Sequence, residues 1–138
     1  MEKRRGDELR ERTKEFSLRI IRLYCALPKA PEAQVIGKQV LRSGTSVGAH
    51  YREAGRARSD AEFVSKLEGA LQELDETQYW LELLVESNIV PAPRLDPLLR
   101  EAAELTAILV SSVKTVKRRR KRNDERTDSQ KRRKHTDP

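Results

Sequence analysis

The chain of 138 residues has room for one domain with an appended tail, and its 37% charged and 36% hydrophobic content suits amphipathic helices on short links. Only 4% is aromatic, so aliphatic side chains must fill the core; the single cysteine, Cys25, excludes an internal disulfide and a Cys-rich zinc site. The net charge of +7 lies beyond residue 113: residues 114–138 hold 12 Lys/Arg against 4 Asp/Glu, leaving 17 against 18 in residues 1–113. No apolar run approaches the roughly 18 residues that span a bilayer, and no apolar stretch follows the charged start. Neither a membrane helix nor a secretory signal is expected, and the reducing cytoplasm is the expected location.

In chain order, residues 1–6 are expected to be a disordered lead. A first helix is predicted from Asp7, a good N-cap, to Ala26, with Leu9, Phe16, Ile20, Leu23 and Leu27 on its apolar side. Pro31 suits a first helical position, and a second helix is predicted over 32–54 with Val35, Ile36, Val40, Val47 and Tyr51 facing inward. Its middle, Ser-Gly-Thr-Ser-Val-Gly-Ala at 43–49, holds two glycines that each cost about 1 kcal/mol in a helix interior. Close approach of a neighbouring helix is the expected compensation, with a kink as the competing reading.

Gly55 is placed to end that helix, and Ser59-Asp60-Ala61-Glu62 matches a capping box that starts a third, reaching Asn88. Phe63, Leu67, Ala70, Leu74, Leu81 and Val85 fall on one stripe of it, flanked by Leu71 and Leu84. Tyr79 and Leu83 lie almost opposite, among acidic residues, which points to a subunit contact. Pro91 and Pro93 break the chain. A fourth helix is predicted from Asp96 to about Lys117, its apolar side running from Leu98 to Val116. The expected fold is therefore all-α, an up-and-down four-helix bundle over 7–117. The remainder, 118–138, has no apolar residue to bury and is expected to be disordered or at most a frayed helical extension.

Catalytic material is sparse. The two histidines are His50, in the second helix, and His135, in the tail; Cys25 reads as a small buried hydrophobe. No nucleophile motif, phosphate-binding glycine loop or Glu-x-x-His pair is present, so no enzyme, cofactor or metal is expected. Glu73 is expected to pair with Arg19, Arg22 or Arg42. Arg52, Arg56 and Arg58 cluster at the corner between the second and third helices. They read as helix-end charges paired with Glu53, Asp60 or Glu62, or else as phosphate contacts, with Arg56 and Arg58 the candidates. The tail blocks Lys117-Arg118-Arg119-Arg120-Lys121-Arg122 and Lys131-Arg132-Arg133-Lys134 put ten cations into 18 residues. Such segments bind polyanions by releasing counterions; a solubilising tail is the alternative.

Arg42-Ser-Gly-Thr-Ser-Val-Gly-Ala-His-Tyr-Arg-Glu-Ala, followed by Arg56-Ala-Arg-Ser-Asp-Ala-Glu-Phe, resembles the bacterial four-helix-bundle family, also known as the ribosomal-RNA intervening-sequence proteins. Ser17-Leu-Arg-Ile-Ile-Arg-Leu-Tyr, Gln34-Val-Ile-Gly-Lys-Gln and Glu73-Leu-Asp-Glu-Thr-Gln-Tyr-Trp-Leu-Glu-Leu extend the similarity across about residues 12–117. His50 departs from the usual Asn, and the Lys/Arg tail is longer than the family core requires. The resemblance implies a ring-like homopentamer, with nucleic-acid binding the usual suggestion for its role. The expected function is thus a homo-oligomeric bundle that binds RNA or DNA through basic tails. The alternative is a protein-interaction scaffold for a partner enzyme, with no nucleic-acid role.

Overall fold

The structure, a computed structural model, describes residues 5–136 and consists there of four helices: α1 (Arg5–Ala26), α2 (Pro31–Gly55), α3 (Asp60–Glu86) and α4 (Ala92–Thr136), with no strand among the described residues. Short links make consecutive helices antiparallel, and α1 meets α4 to close a four-helix bundle. The α1–α2 and α3–α4 links therefore lie at one end. The start of α1, the α2–α3 corner and the run of α4 beyond Val116 lie at the other.

The core stripes follow helical periodicity. Leu9, Phe16, Ile20 and Leu27 of α1 are buried with Val40 and Val47 of α2, Leu67, Ala70, Leu74, Leu81 and Leu84 of α3, and Leu98 to Val116 of α4 at three- and four-residue steps. Two readings differ. Val35 is 66% exposed, because the inward side of α2 is made by Ala33, Gly37, Val40, Gly44 and Val47. Cys25 is exposed as well, since Leu27 takes the buried position at that end of α1.

The glycines of α2 sit in an unbroken helix and mark close approach. A β-carbon at Gly37 would come within 2.6 Å of Leu27 Cδ1, and one at Gly44 within 2.7 Å of Ile20 Cγ1. Between α2 and α3, Thr77 Oγ1 donates to Ser43 Oγ at 2.8 Å, and Ser43 Oγ donates to the Gln39 carbonyl at 2.9 Å; both side chains are fully buried. Satisfied hydroxyls of this kind pack small helix surfaces together without leaving a buried donor orphaned.

Helix ends are fixed locally. Ser59 caps α3, its Oγ accepting from Glu62 N–H at 3.1 Å, while Glu62 Oε2 accepts from the Arg58 amide at 3.3 Å. At the far end Asn88 takes φ 62°, so that Ile89 N–H reaches Leu84 C=O and Asn88 N–H reaches Val85 C=O, a Schellman closure. Gly55 is the last residue of α2 and has no left-handed φ; Arg56 forms the cap there.

Three boundaries depart from the sequence reading. Residues 1–4 of the expected disordered lead lie outside the described residues, but Arg5 and Gly6 are helical, and Tyr51 Oη donates to Gly6 C=O at 3.0 Å to hold this turn on α2. Helix α4 begins at Ala92 rather than Asp96, drawn in by the buried Val90 and Leu95, and takes Pro97 into its early turns. The tail, expected to be disordered or at most a frayed helical extension, is helical where it is described: α4 continues without interruption to Thr136. No glycine or proline occurs between Pro97 and Pro138, and Arg120/Asp124, Lys121/Glu125 and Asp128/Arg132 stand four residues apart with opposite charge. At its base Lys117 Nζ pairs with Glu68 at 3.0 Å and Arg119 with Asp60 at 3.5 Å.

Candidate nucleic-acid interface

Beyond Val116 no described residue up to His135 is buried, so α4 leaves the body as a helical arm. From Arg120 to Thr136 it extends roughly 25 Å at 1.5 Å per residue. At 100° per residue, Arg119, Arg122, Arg126 and Arg133 fall within one quarter of its circumference, with Ser129 and Gln130 between them. Glu125 borders this row, while Asp124 and Asp128 lie on the opposite side. Arg126 belongs to the row although it sits between the two blocks that stand out in the sequence; the signal was its seven-residue spacing to Arg119 and Arg133.

The tail cations are not equivalent. Lys117 and Arg119 are tied to α3, and Arg132 and Arg133 also have interactions. Arg118, Arg120, Lys121, Arg122, Lys131 and Lys134 are fully on the surface with no ion pair among the described residues.

At the corner the candidates separate. Arg56 lines a depression of about 270 Å³ with Gly6, Asp7, Arg10, Tyr51, Arg52 and Gly55. Arg58 is exposed but contributes to the corner only its amide, bonded to Glu62. The pairings expected for the corner go elsewhere. Glu53 pairs with Lys66 at 2.8 Å and Asp60 with Arg119. Away from the corner, Glu73 pairs with Arg42, one of the three partners expected for it, and Arg42 also binds Glu76. The hydrogen bond from Lys66 and its positive charge hold the Glu53 carboxyl below its ordinary value of 4.5, and the same partner raises Lys66 above 10.5. Across α1 and α4, Arg12 pairs with Glu101 and, at 3.3 Å, Glu104; the Glu101 hydrogen bond raises its guanidinium further.

Tyr79 is 53% exposed, its ring 5.0 Å from that of Trp80, and Leu83 is half-buried beside it. His50 Nδ1 is buried without a partner and packs where a β-carbon on Gly69 would sit, 3.1 Å away. Cys25 is at the other end of the bundle, so the two share no site. Among the described residues no three His, Cys, Asp or Glu side chains converge to hold a metal, and no helix is long and apolar enough to cross a membrane.

Fold and surface together define a small helical-bundle protein with one strongly cationic end. The chain belongs to the 23S rRNA-intervening sequence protein family, whose match covers residues 7–111. A crystal structure of a protein of unknown function from the S23 ribosomal protein family of Bacteroides thetaiotaomicron VPI-5482 is similar at 38% identity, with a TM-score of 0.75, over 79% of this chain and 97% of that one. No curated protein matches the chain. The family match ends before Lys114, so the cationic arm lies outside it.

Proposed function

We propose that this protein is a non-enzymatic homo-oligomer of the cytoplasm that binds nucleic acid electrostatically through its helical arm. The observation that carries the reading is the arm itself: a row of arginines on one face of a helical segment in which no described residue is buried. A folded core gains nothing from such a row, whereas each phosphate contact releases condensed counterions. With no aromatic residue beyond Trp80 in the chain, base stacking plays no part in the arm's grip.

Association rests on Tyr79 and Leu83. Around them Asp75, Glu82 and Glu86 are exposed and have no ion pair among the described residues, while Leu18 and Ile21 of α1 form a second exposed apolar spot. Two unlike patches on one protomer favour head-to-tail contact between copies, the kind that closes into rings. Several arms on one assembly would then engage one polyanion with added avidity.

Electrophoretic shift over a salt series tests the reading, comparing the full chain with one ending at Val116. The full chain is expected to bind at low salt with affinity falling steeply as salt rises. The shortened chain is expected to have a shallower slope, by about 0.9 for each duplex phosphate that the arm no longer neutralises. Absence of binding by the full chain at low salt would refute the reading. Native mass measurement of the same samples reports the number of copies; Tyr79→Asp is expected to shift assemblies toward the 15.9 kDa protomer.

A further inference from the structure

We infer that the groove between α1 and α2 is a second phosphate-backbone site, built by Arg10, Lys14, Arg52 and Arg56 on the folded body. Three depressions of about 270, 380 and 360 Å³ run along this groove, and Arg52 lines all of them. Arg10 lines two, Lys14 two, and Arg56 the one at the end of the bundle. The floor at the inner end is Gly48 and Ala49, which leaves the charged side chains unobstructed.

Among the described residues lining the groove, cations outnumber carboxylates, as a polyanion requires. Asp7 and Glu11 are the carboxylates on the groove's walls, against four cations. None of the four makes an ion pair among the described residues, in contrast to Arg12, Arg22, Arg42 and Lys66 elsewhere on the body. Arg10 and Lys14 are one helical turn apart on α1, as are Arg52 and Arg56 on α2, so the groove presents two parallel rails with cations about 6 Å apart along each. Such rails suit successive phosphates of a nucleic-acid strand, which arginine holds in forked hydrogen bonds.

The fold places this groove at the end from which the arm projects, because α1 begins where α2 ends, and α4 passes the start of α3 there. A strand gripped by the arm therefore has a second cationic surface within reach on the same end. The inference rests on the nucleic-acid reading above and assigns part of the binding to residues that survive removal of the arm.

The test uses full-length protein and a short fluorescein-labelled DNA duplex, with affinity read by anisotropy over a salt series. Arg10→Gln, Lys14→Gln and Arg52→Gln together should lower the slope of log affinity against log salt by about 2.7, or 0.9 per phosphate. A control with equal charge loss at the other end, Lys29→Gln, Lys38→Gln and Arg94→Gln, should leave the slope unchanged. Arg10→Lys with Arg52→Lys keeps the charge and should keep the slope. Should the triple variant lose its helical circular dichroism, Arg52→Gln alone replaces it, with an expected fall of about 0.9. Equal effects of groove and control variants, or no effect of the groove variant while the unaltered protein binds, would overturn the groove and leave the arm standing. Failure of the unaltered protein to bind removes both.

Discussion

A methyl group added at Gly44 would meet Cγ1, Cγ2 and Cδ1 of Ile20 at 2.7, 3.0 and 3.1 Å, and Ile20 is fully buried and unable to yield. At Gly48, one turn on, the same methyl would lie 3.5 Å from Thr13, an ordinary contact. The two glycines therefore answer oppositely to the same substitution. Gly48→Ala should stabilise by up to about 1 kcal/mol through helix propensity. Overpacking at Gly44 costs about 1–3 kcal/mol and outweighs that gain, so Gly44→Ala should destabilise by up to about 2 kcal/mol. Urea unfolding of both variants measures the contrast, and equal shifts would refute it. That α2 carries small residues for contact was legible in the sequence. Which of its glycines is tight was not, because the answer depends on where Ile20 and Thr13 of another helix point.

At the level of elements, legibility followed how local the determinant was. The Ser59 cap and the middle of the α3 stripe, Leu67, Ala70, Leu74 and Leu81, rest on near neighbours in sequence and read correctly; the stripe's ends, Phe63 and Val85, are only half-buried, and Val64 and Leu84 are buried in their place. The orientation of Val35 rests on competition between two faces of α2, and glycines won the inward face because they admit α1. For the tail, absence of apolar residues pointed to disorder and absence of helix breakers to a helical extension, and the described residues follow the second. The contact of α2 with α3 also has a pH signature, through Glu53 and Lys66. Lowered in the fold, Glu53 contributes stability that is present above 4.5 and lost as pH falls through its depressed value. Raised in the fold, Lys66 contributes stability present below 10.5 and lost as pH rises through its elevated value. Lys66→Met should therefore flatten both limbs of a plot of melting temperature against pH and leave its middle least changed in slope. An unaltered acid limb would show that the pair does not act in solution.

For the whole molecule, charge was legible as a total and as a tail, but not as a surface. Arg10 and Lys14 stand far from Arg52 and Arg56 in sequence, and only the antiparallel return of α2 sets the two pairs opposite each other. The family match over 7–111 describes the bundle, and the arm adds to it a cationic reach that the bundle alone lacks.

That no described side chain of the arm is buried also sets how readily its backbone opens. Helix hydrogen bonds that no tertiary contact covers break at little free-energy cost, so the arm should admit a protease that the bundle refuses. Trypsin, which cleaves after lysine and arginine, should therefore trim the protein in steps back to a resistant fragment ending near Lys117, where the tie to Glu68 and the burial of Val116 begin. Saturating polyanion should slow that trimming by occupying the side chains the protease must read. Equal rates with and without polyanion would mean that the arm's cations stay free when ligand is present.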